Sequence, residues 1–214
     1  MAKVIRPCTI YLVRHGQSQW NVENLMQGKT SGVPLTKTGI KQARLLGEKL
    51  APVPLAAIFS SDLLRARQTA QIVAFRRRLA VVTTKALRER SFGDYEGTTL
   101  KQYEDDLRTM LDQFHALSDA EKFKYKFPHK IEGIGTTVDR VITWLREVSV
   151  AYPGKNVLAV AHGGVLRLLL IHLGYATYDQ LPPFTIANTA QIVLECDGVE
   201  FKIKKIDGVN KHES

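Results

Sequence analysis

The chain has 214 residues and a formal net charge of +9, from 30 lysines and arginines against 21 aspartates and glutamates. This length predicts a single domain over 1–214, because it allows one substantial core and is short for two. The positive charge favours an anionic partner but does not choose between a metabolite, a membrane and a nucleic acid.

The first residues, MAKVIRPCTIYLV, contain a proline and a polar residue within their apolar part. They therefore predict neither a signal peptide nor a membrane-spanning helix. Cys8 and Cys196 stand in apolar runs without C-x-x-C spacing, so we expect buried reduced thiols rather than a disulfide or a zinc site. Together these features predict a cytoplasmic protein without a membrane partner.

Short apolar runs alternate along the chain with longer amphipathic patterns. The predicted strands are TIYLV (9–13), AAIFS (56–60), AVVTT (80–84), NVLAVA (156–161), AQIVLEC (190–196) and EFKIKKI (200–206). Helical patterns cover 35–50 and 61–74. Continuous apolar strands between helices predict an α/β three-layer sandwich, a mostly parallel central sheet with helices on both faces. Asp197-Gly198 predicts a final hairpin, and hence an antiparallel strand at the sheet edge.

A small cap is predicted over 98–135, the least regular part of the chain. Residues 98–117 have a helical pattern, and KFKYKF (122–127) alternates lysine with aromatic residues before a proline. Such a run is typical of a segment that binds single-stranded nucleic acid, or of a strand within a cap. We favour a cap whose Lys124 and Lys126 attract a second anionic group of a small substrate. Residues 207–214 are expected to form a frayed tail.

Polar side chains follow four of the predicted strands. His15 and His162 each come directly after one, and Glu89 follows a third. Arg65 is expected in the first turn of a helix capped by Ser61 or Asp62. Since ligands bind at the carboxyl ends of parallel strands, these side chains and the adjacent Arg14 are expected to converge.

This set of side chains suits phosphoryl transfer. Arg14 and Arg65 offer planar donors for phosphate oxygens, an imidazole can attack phosphorus, and a carboxylic acid can protonate a leaving alkoxide. We find no P-loop, no H-E-x-x-H and no aspartate cluster, and therefore expect no metal and no other cofactor.

Four motifs occur in an order that resembles the histidine phosphatase superfamily, the phosphoglycerate mutase-like proteins. They are RHG (14–16), SDLLRARQTA (61–70), LRERSFGDYEG (87–97) and AHGG (161–164). The resemblance implies that His15 is the nucleophile that becomes phosphohistidine. It implies that Glu89 is the proton donor and later the base that activates water. The implied phosphate pocket is Arg14, Arg65, His162 and the backbone N–H of Gly163, and the implied substrate-lining residues are Asn21, Gln27 and Gly28.

Two local details of the motifs lead to expectations. Gly16 is expected to let the backbone pass close to the ligand, and the second ring nitrogen of His15 to donate to a main-chain carbonyl. Many relatives have G-E-S before the second histidine, whereas this chain has EGIGTT (132–137). The glutamate is thus replaced by Thr136 or displaced to Glu132.

Alternative interpretations remain at this point. Glu89 lies between Arg88 and Arg90, so a surface ion-pair cluster is one alternative to an acid. The favoured function is a metal-independent phosphomonoesterase acting on a small phosphorylated metabolite, with no nucleic-acid partner. A 2,3-bisphosphoglycerate-dependent mutase and a non-catalytic phospho-ligand or nucleic-acid binding module are the alternatives. The oligomeric state stays open, a homodimer included.

Overall fold

The computed structural model describes residues 6–75 and 77–213. Its strands are β1 (Cys8–Arg14), β2 (Leu55–Ser61), β3 (Val81–Thr84), β4 (Asn156–Ala161), β5 (Ile186–Cys196) and β6 (Phe201–Val209). Its helices are α1 (Gln19–Val22), α2 (Lys37–Lys49), α3 (Leu64–Ala74), α4 (Leu100–Asp106), α5 (Arg108–His115), α6 (Asp119–Lys124), α7 (Ile134–Ala151) and α8 (Gly163–His172). Two 3-10 turns cover Lys85–Leu87 and Gly93–Tyr95. In these ranges no helix is long and apolar enough to cross a membrane.

All six strands form one sheet in the order β3-β2-β4-β1-β5-β6. The first four run parallel, whereas β5 is antiparallel to β1 and β6 is antiparallel to β5. The final hairpin turns where predicted, with Gly198 at φ +102° and Asp197 Oδ1 accepting from the backbone N–H groups of Val199 and Glu200. The mostly parallel sheet with antiparallel strands at one edge is confirmed.

Successive side chains of the central strands point to opposite faces of the sheet, and each face has its own core. Ile10 and Leu12 of β1 pack with α7 and α8, whereas Val13 packs with α2 and α3. Buried contributors from the helices are Val141, Leu145, Leu166 and Leu169 on one face, and Leu46, Ala66, Ala70 and Val73 on the other. This arrangement confirms the predicted three-layer sandwich.

The segment predicted to be a cap consists of the short helices α4, α5 and α6 and has a small core of its own. Met26, Tyr103, Leu107 and Ile131 are buried together there. The prediction of a single helix over 98–117 is wrong, because the helical pattern is interrupted at Leu107. The φ of −110° and ψ of 14° at this residue are not those of an α-helix. No strand forms at KFKYKF, since α6 extends to Lys124.

The end of the chain differs from the expected frayed tail. β6 continues to Val209, and beyond it the backbone N–H groups of Asn210 and His212 donate to the carbonyls of Thr185 and Gln180. Ser214 lies outside the described residues. Hydrogen bonds to a neighbouring loop, which composition does not encode, hold this segment against the fold.

Candidate active site

Two histidines meet at the carboxyl end of the sheet because β1 and β4 are adjacent and parallel. Arg14 pairs with Ala161 in the register, so His15 and His162 each stand one residue beyond their strand. Their ring centroids lie 5.1 Å apart at an interplanar angle of 62°. His15 is 3% exposed and His162 is 0% exposed. The expected convergence of the two imidazoles is present.

The ring of His15 is held in one tautomer. Its Nδ1 lies 2.7 Å from the carbonyl oxygen of Gly16, and since a carbonyl can only accept, Nδ1 carries the proton. The expected main-chain hydrogen bond is therefore present, and Nε2 keeps its lone pair. Burial, followed by the positive charges of Arg65 and Arg14, holds the pKa of His15 well below its usual value of 6.5. The imidazole is neutral at pH 7 and can act as a nucleophile.

The second imidazole has no hydrogen-bond partner on either ring nitrogen, although both atoms are buried. Burial is the main reason that the pKa of His162 is also well below 6.5, and the positive charges of Arg65 and Arg14 lower it further. An unpartnered buried polar atom is costly and unusual in a protein interior. Such a ring indicates a place where a ligand completes the hydrogen bonding.

Arg14 is held at the end of β1 by one of its three side-chain nitrogens. Its Nη1 donates to the carbonyl of Ile186, while its buried Nε has no partner. A Cβ on Gly163 would lie 3.2 Å from that Nε, so glycine is the residue that fits beneath the guanidinium. Burial lowers the pKa of Arg14, whereas the charge of Glu89 raises it. At pH 7 the side chain keeps its positive charge.

Arg65 lies in the first turn of α3 and is 0% exposed. Its Nη1 and Nη2 donate to the carbonyls of Thr30 and Gly28 at 2.9 and 2.8 Å, and its buried Nε has no partner. Burial is the main cause that lowers its pKa to about 10. The predicted cap of α3 is wrong, because the helix begins after Leu63 with no side-chain cap.

The loop residues implied to line the substrate form hydrogen bonds among themselves. Asn21 Oδ1 and Gln27 Oε1 both accept from the hydroxyl of Ser18, at 3.0 and 2.9 Å. Gly28, at φ +45°, supplies the carbonyl that holds Arg65. These contacts position the loop beside the pocket and leave direct substrate contacts by the three residues as a prediction.

Glu89 is held at the N-terminus of α8. Its Oε2 and Oε1 accept from the backbone N–H groups of Gly164 and Val165 at 2.9 and 3.0 Å. Arg88 instead forms a two-fold ion pair with Asp62, at 2.7 and 2.6 Å. The alternative of a surface ion-pair cluster around Glu89 is therefore wrong. The helix dipole and these N–H groups hold the carboxylate at the start of α8, the helix that directly follows His162.

Gly16 is needed for the close approach of β1 to α2, because a Cβ at this position would lie 2.5 Å from the carbonyl oxygen of Gly39. Its expected close approach to a ligand stays a prediction. The backbone N–H of Gly16 donates to Thr69 Oγ1 at 3.1 Å. The sequence analysis thus missed this hydrogen bond between Gly16 and Thr69, which lies next to His15 in the chain.

Other positioning residues were also missed. Asn188 Nδ2 donates to the carbonyl of His15 at 3.2 Å, and Thr189 has φ +59°, a rare value for a β-branched residue. Glu96 accepts from the backbone N–H groups of Lys29 and Phe92 at 2.9 and 3.1 Å, joining two loops of the site. Only the positive φ and the tertiary contacts identify them, and neither can be obtained from one sequence.

In the segment where many relatives have G-E-S, Glu132 forms ion pairs and a hydrogen bond. Its carboxylate pairs with Arg140 at 3.0 Å and with Lys29 at 3.3 Å, and it accepts from the backbone N–H of Ser91. Thr136 is exposed. Glu132 therefore connects α7 with two loops, and Thr136 does not replace it.

Four of the buried side-chain nitrogens without a partner belong to this site: Arg14 Nε, Arg65 Nε and both ring nitrogens of His162. Together with the neutral imidazole of His15 and the carboxylate of Glu89, this set of side chains is suited to binding an anion. Among the described residues, no three His, Cys, Asp or Glu side chains group as a metal site would require. The fold and this set of side chains are those of an α/β protein suited to binding a phosphoryl group.

Comparison with known proteins assigns the family. The family model of the histidine phosphatase superfamily (branch 1) matches residues 10–207. The chain is 32% identical over 209 residues to the uncharacterized phosphatase PhoE of Bacillus subtilis (strain 168), with 96% of each chain covered. The solved structure of Bacillus stearothermophilus YhfR is similar at 32% identity, with a TM-score of 0.81 and coverage of 94% of this chain and 97% of that one.

A mutase is similar at the same percentage identity over a smaller share of the chain. The 2,3-bisphosphoglycerate-dependent phosphoglycerate mutase 2 of Gloeobacter violaceus is 32% identical over 196 residues, covering 87% of this chain and 84% of that protein. The chain belongs to the histidine phosphatase superfamily, as its motifs predicted. Its relatives are phosphatases and mutases, which makes an enzyme the supported class.

Proposed function

We propose that this protein is a metal-independent phosphomonoesterase that hydrolyses a small phosphorylated metabolite through a phosphohistidine on His15. The observation that carries the proposal is the set of four unpartnered buried nitrogens around a neutral His15 whose Nε2 is free. A phosphoryl group supplies oxygen acceptors for the two arginine Nε–H groups and for the one N–H that a neutral His162 carries. A module that only binds phosphate needs the arginines but has no use for a neutral nucleophile opposite a carboxylate.

In the first step, His15 Nε2 forms a bond to phosphorus while the bond from phosphorus to the ester oxygen breaks. Arg14, Arg65 and His162 stabilise the charge on the three remaining phosphoryl oxygens. Glu89, in its acid form, gives its proton to the departing alkoxide. In the second step, Glu89 takes a proton from water, the water oxygen bonds to phosphorus, and the phosphorus–nitrogen bond breaks to release inorganic phosphate.

A phosphatase is favoured over a mutase by the segment between Glu89 and α7. A mutase has to keep water from the phosphoenzyme while it holds a bisphosphorylated intermediate. Mutase relatives have a longer, basic insertion with a W-R-R-like stretch, as the family resemblance implies. Here the segment consists of α4 to α6 without such a stretch.

The test is phosphate release from a panel of phosphorylated metabolites in EDTA, with 3-phosphoglycerate and a trace of 2,3-bisphosphoglycerate included. We expect release by the parent protein, a loss of roughly 10⁴-fold in His15→Ala, and no loss in the control His115→Ala, whose side chain is exposed. Isomerisation of 3-phosphoglycerate without phosphate release would contradict the proposed phosphatase activity and support a mutase. No reaction, together with salt-dependent binding of nucleic acid, would support the binding module.

A further inference from the structure

Arg65 is a buried cation without a carboxylate beside it. Its side chain is 0% exposed, and among the described residues no carboxylate oxygen lies within 4.0 Å of its nitrogens. A buried charge is normally compensated, because burial without compensation is costly. A carboxylate paired directly with this guanidinium would, however, compete with a phosphoryl group for the same donors. A compatible counter-charge has to leave Nε free, the buried nitrogen that has no partner.

A single peptide group connects Arg65 with Glu96. The carbonyl of Gly28 accepts from Arg65 Nη2 at 2.8 Å, and the N–H of Lys29, which belongs to the same peptide group, donates to Glu96 Oε1 at 2.9 Å. The N–H and C=O of a trans peptide point in opposite directions, so the carboxylate and the guanidinium lie at opposite ends of its dipole. Each charge therefore strengthens the hydrogen bond that the other one makes. Burial lowers the pKa of Arg65, whereas the charges of Glu89 and Glu96 raise it.

A second connection between the same two side chains runs through Thr30. Its hydroxyl donates to Glu96 Oε2 at 2.9 Å, while its carbonyl accepts from Arg65 Nη1 at 2.9 Å. The backbone N–H of Thr30 donates to the carbonyl of Gln27 at 3.0 Å, which closes residues 27–30 into a turn. This turn presents N–H and O–H groups to the carboxylate and carbonyl groups to the guanidinium.

The 27–30 turn can approach Glu96 closely because it contains a glycine. Gly28 has φ +45°, and a Cβ at this position would lie 2.1 Å from Glu96 Oε1. The same oxygen also accepts from Ser91 Oγ and from the backbone N–H of Phe92, at 2.9 and 3.1 Å. The carboxylate is thus held by its own loop, the one after β3, and in turn holds the 27–30 turn.

We propose that Glu96 is a positioning residue that sets the affinity of the site for a phosphoryl group, because it fixes the guanidinium of Arg65 through the 27–30 turn. The turn occupies both Nη atoms of Arg65 and leaves Nε for the anion. A guanidinium fixed in this way loses little side-chain entropy when the anion binds. This inference rests on the proposed function for the use of Arg65 as a phosphate donor.

The test measures the binding of tungstate, a tetrahedral dianion similar in shape to phosphate, by calorimetry and without turnover. We expect the dissociation constant to rise by about tenfold or more in Glu96→Ala, which removes every acceptor for the turn. Glu96→Gln keeps an oxygen for the N–H of Lys29 and has an N–H that can donate to the Thr30 hydroxyl. It is therefore expected to change the dissociation constant by less than about threefold.

Two hydroxyl groups on the same carboxylate give a matched pair of variants. Thr30→Val and Ser91→Ala each remove a hydroxyl that donates to Glu96 at 2.9 Å, but only Thr30 also holds Arg65. We expect Thr30→Val to raise the dissociation constant by about threefold or more, and Ser91→Ala to leave it within about twofold. Ser91→Ala is the stricter control because it also removes the acceptor for the N–H of Gly93. A role of Glu96 in loop stability alone would affect the two variants alike.

Each outcome decides one of the two proposals. An unchanged dissociation constant in Glu96→Ala, equal weakening by Thr30→Val and Ser91→Ala, or no binding of tungstate by the parent protein overturns the positioning role. If Glu96→Ala does not fold, the matched pair decides. Tungstate binding in the expected pattern, without hydrolysis of any ester, overturns the proposed function and leaves the positioning role standing.

Discussion

At the scale of residues, the two buried histidines have different surroundings and hence different uses. His15 is oriented by the Gly16 carbonyl, which leaves Nε2 as the nucleophilic atom. His162 has no protein partner on either nitrogen and can donate to a phosphoryl oxygen. Arg14 and Arg65 contribute charge, while carbonyls hold Nη1 of Arg14 and both Nη atoms of Arg65. The proposed division into nucleophile, donors and acid thus agrees with the hydrogen bonds that each side chain already makes.

The acid role of Glu89 has a kinetic signature. Glu89→Gln removes the proton that a poor leaving group needs, so we expect kcat for alkyl phosphates to fall by about 10²–10⁴-fold. An aryl phosphate, whose leaving group departs without protonation, is expected to lose much less. Steady-state kinetics on both ester classes measure the difference. Equal slowing of both would remove Glu89 from the acid role, and Glu147→Gln on the exposed side of α7 is the control.

The lowered pKa values of His15 and His162 predict a pH-dependent stability. Because each folded-state pKa lies below the unfolded value of 6.5, the unfolded chain takes up protons first as the pH falls. The stabilisation is complete above pH 6.5 and decreases as the pH falls below it. Each histidine contributes a slope of up to about 1.4 kcal/mol per pH unit.

Urea unfolding between pH 7.5 and 5 measures this slope, and the range lies above that in which Asp62 and Glu132, whose pKa values are lowered, titrate. His15→Asn is expected to reduce the slope, whereas His212→Asn, at an exposed position, is expected to preserve it. An unchanged slope in His15→Asn would contradict a buried neutral imidazole.

At the scale of elements, the position of the site depends on how closely helices approach strand ends. α8 begins directly after His162, so its first N–H groups hold Glu89, and a Cβ at Gly164 would lie only 2.7 Å from Glu89 Oε1. α2 approaches the RHG segment with similar closeness at Gly39. Because Gly164 has no Cβ, the backbone of α8 can approach the Glu89 carboxylate. Because Gly39 has none, the backbone of α2 can approach that of the RHG segment.

Two glycines of α2 give a matched pair for this packing. A Cβ at Gly39 would lie 2.0 Å from the carbonyl oxygen of Gln17, whereas one at Gly47 would contact Val73 Cα at 3.6 Å. Gly39→Ala is expected to lower the free energy of unfolding by about 1–3 kcal/mol. Gly47→Ala is expected to raise it by up to about 1 kcal/mol, because alanine favours the helix. Urea denaturation measures both, and the same sign for the two variants would refute the contact argument.

At the scale of the whole molecule, the apolar pattern was sufficient to predict the sheet, its three layers and the final hairpin, because burial on both faces leaves a continuous signal in the sequence. The convergence of His15, His162 and Glu89 followed from the rule that parallel strands end at one edge. The interruption of the helical pattern at Leu107 and the contacts of Asn188 and Glu96 depend on tertiary packing. No local pattern encodes them, so they required the structure.

The measurement that tests the central proposal most directly is chemical quenching of the protein during turnover of a phosphate ester in EDTA, followed by peptide mass spectrometry. We predict one acid-labile phosphoryl group on His15 that decays at a rate at least equal to kcat and is absent from His15→Ala. Phosphate release at the full rate by His15→Ala, or a phosphoryl group on another residue, would contradict the account.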